Sequence, residues 1–150
     1  MMIKEYDMAL ETLKQYLQYM LEKDMERWIE LWDDDAVLEF PYAPGNYPKR
    51  VEGKSAIYDY IKDFPEKIDI SSFTSPTVYR SAGTNTMIAE FQCEGRVIAT
   101  GLPYHQTYIS VIETKDGNIT HYKDYWNPLA GNESFGGSME AFLESEGAVE

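Results

Sequence analysis

The first part of the chain carries apolar residues at spacings of three and four, a pattern typical of helices that bury one side. This spacing predicts a first helix over residues 4–22. Asp24 is a suitable N-cap for a second, short helix that carries Trp28 and Trp32 on its apolar side, and the carboxylates of residues 33–35 are expected to end it. The stripe on the first helix consists of Ile3, Tyr6, Leu10, Leu13, Leu17, Met20 and Leu21.

Strand-like segments dominate the rest of the chain. A first strand is predicted over residues 36–40, and a third helix over residues 55–64, which Pro65 terminates. After it, β-branched and aromatic residues recur in segments separated by Gly, Pro, Asn and Asp, which indicates consecutive strands. Four such strands are predicted, over residues 68–79, 86–98, 104–114 and 119–126.

Helices followed by consecutive strands are typical of an α+β domain in which helices cover one face of a sheet. We therefore predict one domain over residues 1–150, with a curved sheet wrapped around a pocket. For residues 129–150 we expect either a short helix near residues 139–143 or partial mobility.

Charge narrows the range of partners. Acidic residues outnumber basic ones 26 to 13, and the formal net charge of -13 disfavours nucleic acid and anionic membrane surfaces as partners. No apolar run approaches the roughly 20 residues of a membrane-spanning helix, and the N-terminal residues lack the pattern of a signal peptide. The expected location is the cytoplasm, and the expected partner is a small organic molecule.

Few residues are suited to metal or cofactor chemistry. Cys93 is the single cysteine and is expected to be a buried strand residue. The two histidines, His105 and His121, do not lie at a metal-ligand spacing from other ligands. The chain also lacks a phosphate loop, a nucleophile elbow and a cysteine cluster. We therefore predict neither a metal site nor a cofactor.

The order of several short motifs over about residues 5–130 resembles the SnoaL-like, nuclear-transport-factor-2-like superfamily. The resemblance implies a cone-shaped, curved antiparallel or mixed sheet around a pocket, as in cystatin-like folds. Members of the superfamily include polyketide cyclases, phenazine-biosynthesis A/B proteins, ketosteroid isomerase and limonene epoxide hydrolase. The motifs are Trp28-Ile29-Glu30-Leu31-Trp32, Phe40-Pro41-Tyr42-Ala43-Pro44, Val51-Glu52-Gly53-Lys54, Thr100-Gly101-Leu102-Pro103-Tyr104 and Tyr122-Lys123-Asp124-Tyr125-Trp126-Asn127-Pro128.

The resemblance implies that a carboxylate on the last strand acts as acid or base, and Asp124 aligns with it. A two-residue turn at residues 116–117 predicts a register in which Ile109 lies opposite Asp124 on a mostly apolar face. Apolar surroundings raise the pKa of an aspartate, which suits proton transfer near neutral pH. By analogy with ketosteroid isomerase, Tyr122 or Tyr104 is a candidate hydrogen-bond donor to an enolate oxygen. The alternative is a structural aspartate paired across the sheet.

Candidate ligand contacts follow from the same register and from the aromatic segments. For the tryptophans and the loop tyrosine, packing in the core or against a strand is the competing interpretation. The residues predicted to contact a ligand are Trp28, Trp32, Tyr42, Phe64, His105, Thr107, Ile109, Tyr122 and Trp126.

Two functional hypotheses follow. The first is a cofactor-free isomerase, cyclase or dehydratase that acts on a small carbonyl compound with Asp124 as general acid and base. The resemblance to the phenazine proteins implies a histidine after the Phe-Pro segment, and residues 66–80 contain none. The second hypothesis is a non-catalytic ligand-binding or assembly protein that forms a homodimer through the outer face of the sheet. The residues predicted on that face are Tyr104, Gln106, Tyr108, Tyr125 and Asn127.

Overall fold

The structure is a computed structural model that describes residues 2–130. Residues 131–150, with the predicted helix near residues 139–143, lie outside the described part of the chain. The described helices are α1 (Met2–Glu22), α2 (Met25–Ile29), α3 (Lys54–Ile61) and α4 (Phe64–Lys67). The strands are β1 (Trp32–Glu39), β2 (Arg50–Glu52), β3 (Ile68–Phe73), β4 (Thr77–Arg80), β5 (Thr86–Val97), β6 (Pro103–Lys115) and β7 (Asn118–Tyr125).

The strands form one curved sheet in the order β2-β1-β7-β6-β5-β3, and β4 pairs with β5 beyond the end of β3. The β1–β7 pair is parallel, and the other pairs are antiparallel. Helix α1 packs against β3, β6 and β7, and we call the face that it covers the inner face. This architecture confirms the predicted α+β class with a curved, mixed sheet. Within residues 2–130, no helix has the length and apolarity needed to cross a bilayer.

Three predicted boundaries were wrong for local reasons. Helix α2 ends at Ile29 and Trp32 already begins β1, because the Leu31 carbonyl accepts a hydrogen bond from the Ile119 amide of β7 at 2.8 Å. This bond between strands takes the place of a helical one. The predicted strand over residues 68–79 divides before Pro76, since proline has no amide proton for the ladder. Pro65 does not end a helix but lies in the first turn of α4, a position that proline favours.

Two β-bulges determine which side chains reach the inner face. On β3, a register shift between Ile70 and Ser72 allows Ile70 and Phe73 to share that face although they are three residues apart. A Cβ atom on Gly95 would lie 2.3 Å from the carbonyl oxygen of Asp69, so β3 can approach β5 this closely because that position is glycine. The second shift lies between Glu113 and Thr114 in the β6–β7 pair and sets the register around the candidate site.

The core lies between α1, α2 and the inner face. Trp28 and Trp32 are each 1% exposed, and their rings are 5.2 Å apart. Tyr16 of α1 stacks on Tyr122 of β7 with 5.1 Å between ring centroids, and this pair contacts both tryptophans. Aromatic pairs in this geometry contribute about 0.5–1.5 kcal/mol each beyond the area that they bury. The cluster fixes α1 against the centre of the sheet and closes one end of the space beneath it.

Candidate functional site

A cavity opens between the inner face of the sheet and the helices. Its empty volume is about 660 Å³, including the part that is open to solvent. Most of its walls are aromatic rings, and among the described residues that line it a single side chain, Asp124, is charged. Such a site suits an organic ligand of modest size with few polar groups. The lining residues are Tyr16, Met20, Phe40, Tyr47, Ile61, Phe64, Ile70, Phe73, Phe91, Tyr104, Tyr108, Tyr122, Asp124 and Trp126.

Asp124 lies on β7 directly opposite Ser110 of β6. The residue is half-buried, and its Oδ1 atom is fully buried without a hydrogen-bond partner among the described residues. Loss of hydration disfavours the charged form of a carboxyl group. Burial accordingly raises the pKa of Asp124 from the usual 3.8 to about 7. At neutral pH the carboxyl group is therefore divided between a form that accepts a proton and one that donates it.

Hydroxyl groups surround this carboxyl group on two sides. The Tyr122 and Ser110 hydroxyl oxygens are 2.6 Å apart, and Tyr16 also forms a hydrogen bond with Tyr122. Burial, followed by the nearby charge of Asp124, raises the pKa of Tyr122 above its usual value. The same factors, with further contributions from neighbouring hydroxyls, raise the pKa of Tyr16 and of Tyr108. These phenols remain protonated at neutral pH and can act as hydrogen-bond donors.

A buried amide side chain joins the beginning of β6 to the residues that follow β7. Gln106 is 2% exposed; its Oε1 accepts from the Asn127 amide at 2.8 Å, and its Nε2 donates to the Asn127 carbonyl at 3.0 Å. This two-point bond ties the residue after Trp126 to β6 and so positions the Trp126 ring at the cavity wall. Tyr104, two residues before Gln106, also lines the cavity.

The predicted β6–β7 register is wrong at the site. The turn pairs Lys115 with Asn118 as expected, but the bulge between Glu113 and Thr114 shifts the strands by one residue. Ser110 therefore lies opposite Asp124, and Ile109 lies opposite Tyr125 on the outer face. Because side chains alternate along a strand, the shift moves the whole predicted set to the other side.

Three predicted ligand contacts consequently do not line the cavity. Ile109 is 38% exposed on the outer face, and Thr107 and His105 are also exposed there. His105 instead faces Glu94, with 3.4 Å between the ring Nδ1 and a carboxylate oxygen. Three residues predicted on the outer face lie on the inner face instead. Tyr104 and Gln106 are buried there, and Tyr108 lines the cavity.

The remaining predicted contacts divide into two groups. Phe64, Tyr122 and Trp126 line the cavity beside Asp124. Trp28 and Trp32 do not line it, because they are buried behind Tyr16 and Tyr122 in the core. Tyr42 is 63% exposed and contacts the outer-face ring of Tyr125 at 5.2 Å, so its predicted position at the pocket mouth is also wrong.

Sequence reasoning missed much of the cavity wall. Tyr108 was assigned to the outer face and Ser110 was not among the predicted residues, because the register expected from the two-residue turn placed Ile109 opposite Asp124. Tyr16 lies three residues after Leu13 on the buried side of α1, a spacing that could have identified it. Phe40, Tyr47, Phe73 and Phe91 come from separate elements, which a local pattern could not bring together.

The outer face carries a different kind of charged cluster. His121 of β7 forms a hydrogen-bonded ion pair with Glu39 of β1, and Arg50 of β2 lies 3.6 Å from the same carboxylate. The hydrogen bond from His121 lowers the pKa of Glu39; burial opposes this effect, and nearby positive charge, including that of Arg50, adds to it. Within residues 2–130, no group of three or more His, Cys, Asp or Glu side chains is arranged to hold a metal ion.

A family model described as a SnoaL-like domain matches residues 13–122. The chain belongs to the SnoaL-like family. The matched segment ends just before Asp124, so the match itself assigns no role to that residue. Among known proteins, this SnoaL-like chain is 65% identical over 146 residues to the uncharacterized protein YesE of Bacillus subtilis, covering 97% of each chain. It is 37% identical over 140 residues to the uncharacterized PhzA/B-like protein PA3332 of Pseudomonas aeruginosa, covering 93% of this chain and 99% of the other.

Solved structures give the same fold for this SnoaL-like protein. A Bacillus subtilis protein provisionally named an isomerase has a TM-score of 0.88 and 68% identity, over 89% of this chain and 96% of its own. A provisionally named polyketide cyclase of Xanthomonas campestris has a TM-score of 0.73 at 15% identity, over 87% and 98% of the two chains. An NTF2-like protein of Burkholderia xenovorans has a TM-score of 0.67 at 17% identity, over 85% and 95%. The two distant likenesses concern the fold alone.

Proposed function

We propose that this protein is a cofactor-free acid–base enzyme, an isomerase, cyclase or dehydratase, that acts on a small carbonyl compound. The observation that carries the proposal is the carboxyl group of Asp124, which lies in an aromatic cavity with Oδ1 unpartnered among the described residues and a pKa of about 7. A general base works best when its pKa lies near the working pH. The names of structural relatives, an isomerase and a polyketide cyclase, agree with this class of chemistry.

The proposed reaction begins with proton transfer from carbon. The ionised Asp124 removes a proton from the carbon beside the carbonyl group, and the C–H electron pair becomes the C=C bond of an enolate. The former carbonyl π electrons move to the oxygen, which accepts a hydrogen bond from a phenol. Tyr122 is the preferred donor because its hydroxyl is held by Ser110 and Tyr16. Tyr104 at the cavity wall is the alternative.

The protonated Asp124 then completes the reaction in a way that depends on the substrate. Returning the proton to a different carbon gives an isomer. Donating it to a β-hydroxyl group as the C–O bond breaks releases water and gives a dehydrated product. In a cyclase, the enolate carbon instead forms a bond to a second carbonyl carbon, and the proton goes to the alkoxide oxygen that results. Each outcome needs one carboxyl group that both takes and gives a proton.

Deuterium exchange tests this chemistry without knowledge of the natural substrate. Beta-tetralone in D₂O exchanges the protons beside its carbonyl group, and proton NMR follows the exchange. The wild-type rate is expected to rise with pH and to level off above about 7, since the carboxylate is the active form. Asp124→Asn should lower the rate by about 100-fold or more. Asp34→Asn removes an exposed carboxylate and serves as the matched control. Equal exchange rates in wild type and Asp124→Asn would refute the role of Asp124.

A second candidate function is a non-catalytic homodimeric binding protein. The supporting observation is an apolar patch on the outer face, where Tyr42 is 63% and Ile109 is 38% exposed. Ile109 pairs with Tyr125, and Val111 pairs with Ile88, so these side chains share the patch with Tyr42. Such a surface fits a self-complementary contact between two copies.

Sedimentation measures the dimerisation on which this second function depends. Wild type at micromolar concentration is expected to sediment as a dimer, and Ile109→Lys as a monomer. Thr84→Lys, at the exposed end of the β4–β5 connection, is the matched control and should remain dimeric. A monomeric wild type, or a dimeric Ile109→Lys, would contradict an interface at this patch.

A further inference from the structure

The cavity contains a negative group and no matching positive one. Among its described lining residues, Asp124 is the only charged side chain, and none is Lys, Arg or His. The titratable groups whose charge acts on Asp124 are Tyr16 of α1, Cys93 of β5, Tyr108 of β6 and Tyr122 of β7. Each of these is neutral or negative, so the described protein supplies no counter-ion to an ionised Asp124. A buried charge without a partner is energetically costly.

The hydrogen bonding of Asp124 also indicates that a donor is missing. Its Oδ1 atom is buried without a donor among the described residues. Buried polar atoms in folded proteins nearly always have a partner, and an ionised carboxylate can only accept. A ligand that completes this site must therefore bring an N–H or O–H group.

The walls of the cavity favour a positive ligand over a neutral one. The ring centroids of Tyr47 and Trp126 are 5.7 Å apart, and those of Phe91 and Tyr108 are 5.4 Å apart. The face of an aromatic ring carries partial negative charge and attracts an organic cation. An alcohol could donate to Oδ1, but only a cation also supplies the missing charge and gains from the rings.

We propose that the cavity binds a small hydrophobic ammonium ion, whose N–H group donates to Oδ1 of Asp124 while its hydrocarbon part packs between the aromatic rings. The inference uses the cavity and carboxyl group of the proposed function but needs no turnover. An amine bound in this way would exclude a neutral carbonyl compound from the same space. Amines of this class are then either competitive inhibitors of the proposed reaction or the natural ligand of a binding protein.

Three compounds of nearly equal shape isolate the effect of charge. Isothermal titration calorimetry would compare para-tert-butylbenzylamine, the corresponding alcohol and the corresponding benzoate. At about pH 8, where Asp124 is largely ionised and an alkylamine is still protonated, the amine is expected to bind at least about tenfold more tightly than the alcohol, and the benzoate more weakly than the alcohol. Below pH about 7 a proton competes with the amine for Asp124, so the preference should fall by up to about tenfold per pH unit.

Two variants distinguish binding of the amine at Asp124 from general attraction of the amine to the acidic surface. Asp124→Asn should lose the preference for the amine but still bind the alcohol, which shows that the cavity is intact. Asp34→Asn lowers the net negative charge by the same amount at an exposed position and should keep the preference. Equal affinity for amine and alcohol in wild type, a preference that survives in Asp124→Asn, or no binding of any of the three compounds would overturn the inference.

The deuterium-exchange assay distinguishes this failure from failure of the proposed function. A protein that prefers the amine but exchanges no protons of beta-tetralone would refute the acid–base enzyme and support the ammonium site. A protein that exchanges the protons through Asp124 but shows no preference for the amine would refute only the ammonium site.

Discussion

Two carboxyl groups on opposite faces of the same sheet have opposite pKa shifts. Asp124 on the inner face has a buried oxygen without a donor among the described residues, and burial raises its pKa to about 7. Glu39 on the outer face accepts from His121 and lies near Arg50, and these partners lower its pKa. Hydrogen-bond donors and positive charges stabilise the ionised form of Glu39, whereas burial destabilises the ionised form of Asp124. The ionised form of Asp124 therefore costs stability, a cost that the proposed acid–base role would explain.

The largest expected effect on stability comes from Asp124→Asn, which should stabilise the protein at high pH. Both folded and unfolded chains hold the Asp124 proton below about pH 4, so the residue carries no penalty there. Between about pH 4 and 7 the unfolded chain ionises first, and wild-type stability falls as pH rises. Urea unfolding should show the advantage of the variant growing by about 3 kcal/mol between about pH 5 and about pH 8. A difference in stability that stays the same at the two pH values would contradict a desolvated Asp124.

Glu5→Gln should have an intermediate effect of opposite sign. Glu5 of α1 accepts from Thr114 Oγ1 at 2.7 Å and from the amides of Asp116 and Gly117 at 2.8 and 3.1 Å. Burial opposes ionisation, but these three bonds outweigh it and lower the pKa of Glu5. We expect a loss of about 1–2 kcal/mol at neutral pH, measured by urea unfolding. Glu11→Gln, exposed on the same helix, should change stability by less than about 0.5 kcal/mol. Equal losses in the two variants would show that the three bonds contribute nothing.

The smallest expected effect is that of Glu39→Gln. The Glu39 side chain is 24% exposed, so solvent weakens its ion pairs, and we expect a loss of roughly 1 kcal/mol at neutral pH. Because the folded pKa of Glu39 is lowered, its contribution is present above the unfolded value and disappears as pH falls through the folded value. Thermal unfolding at neutral and acidic pH measures this trend. A loss that grows on acidification would reverse the proposed difference between the two faces.

Much of the fold could be predicted because its signals are local. The apolar stripe of α1 and the segments that became β5, β6 and β7 are long and regular, and the structure confirms them within a few residues. Divisions of an element depend on single residues, as at Pro76 and at Leu31, where a missing amide proton or a hydrogen bond to another strand outweighs the wider pattern. A single residue changes the sequence pattern very little but can determine where a helix or strand ends.

The site was less predictable because it depends on one extra residue in a strand pair. The resemblance identified Asp124, but the bulge between Glu113 and Thr114 exchanged the faces of β6 and placed Ser110, not Ile109, opposite the carboxyl group. Alternation also gave a misleading signal, since Gln106 and Ser110 are polar yet buried, each with a hydrogen-bond partner inside. Only the assembled fold shows those partners.

The proposed acid–base role requires that Asp124 be a desolvated carboxyl group, and the pKa of Asp124 reports its solvation. Protein labelled with ¹³C at aspartate side chains can be titrated by NMR, with Asp124→Asn used to assign the signal. We expect the Asp124 signal to titrate with a midpoint near pH 7. A midpoint at or below about 3.9, the value of an unperturbed aspartate, would contradict this expectation and indicate a solvated or paired structural residue.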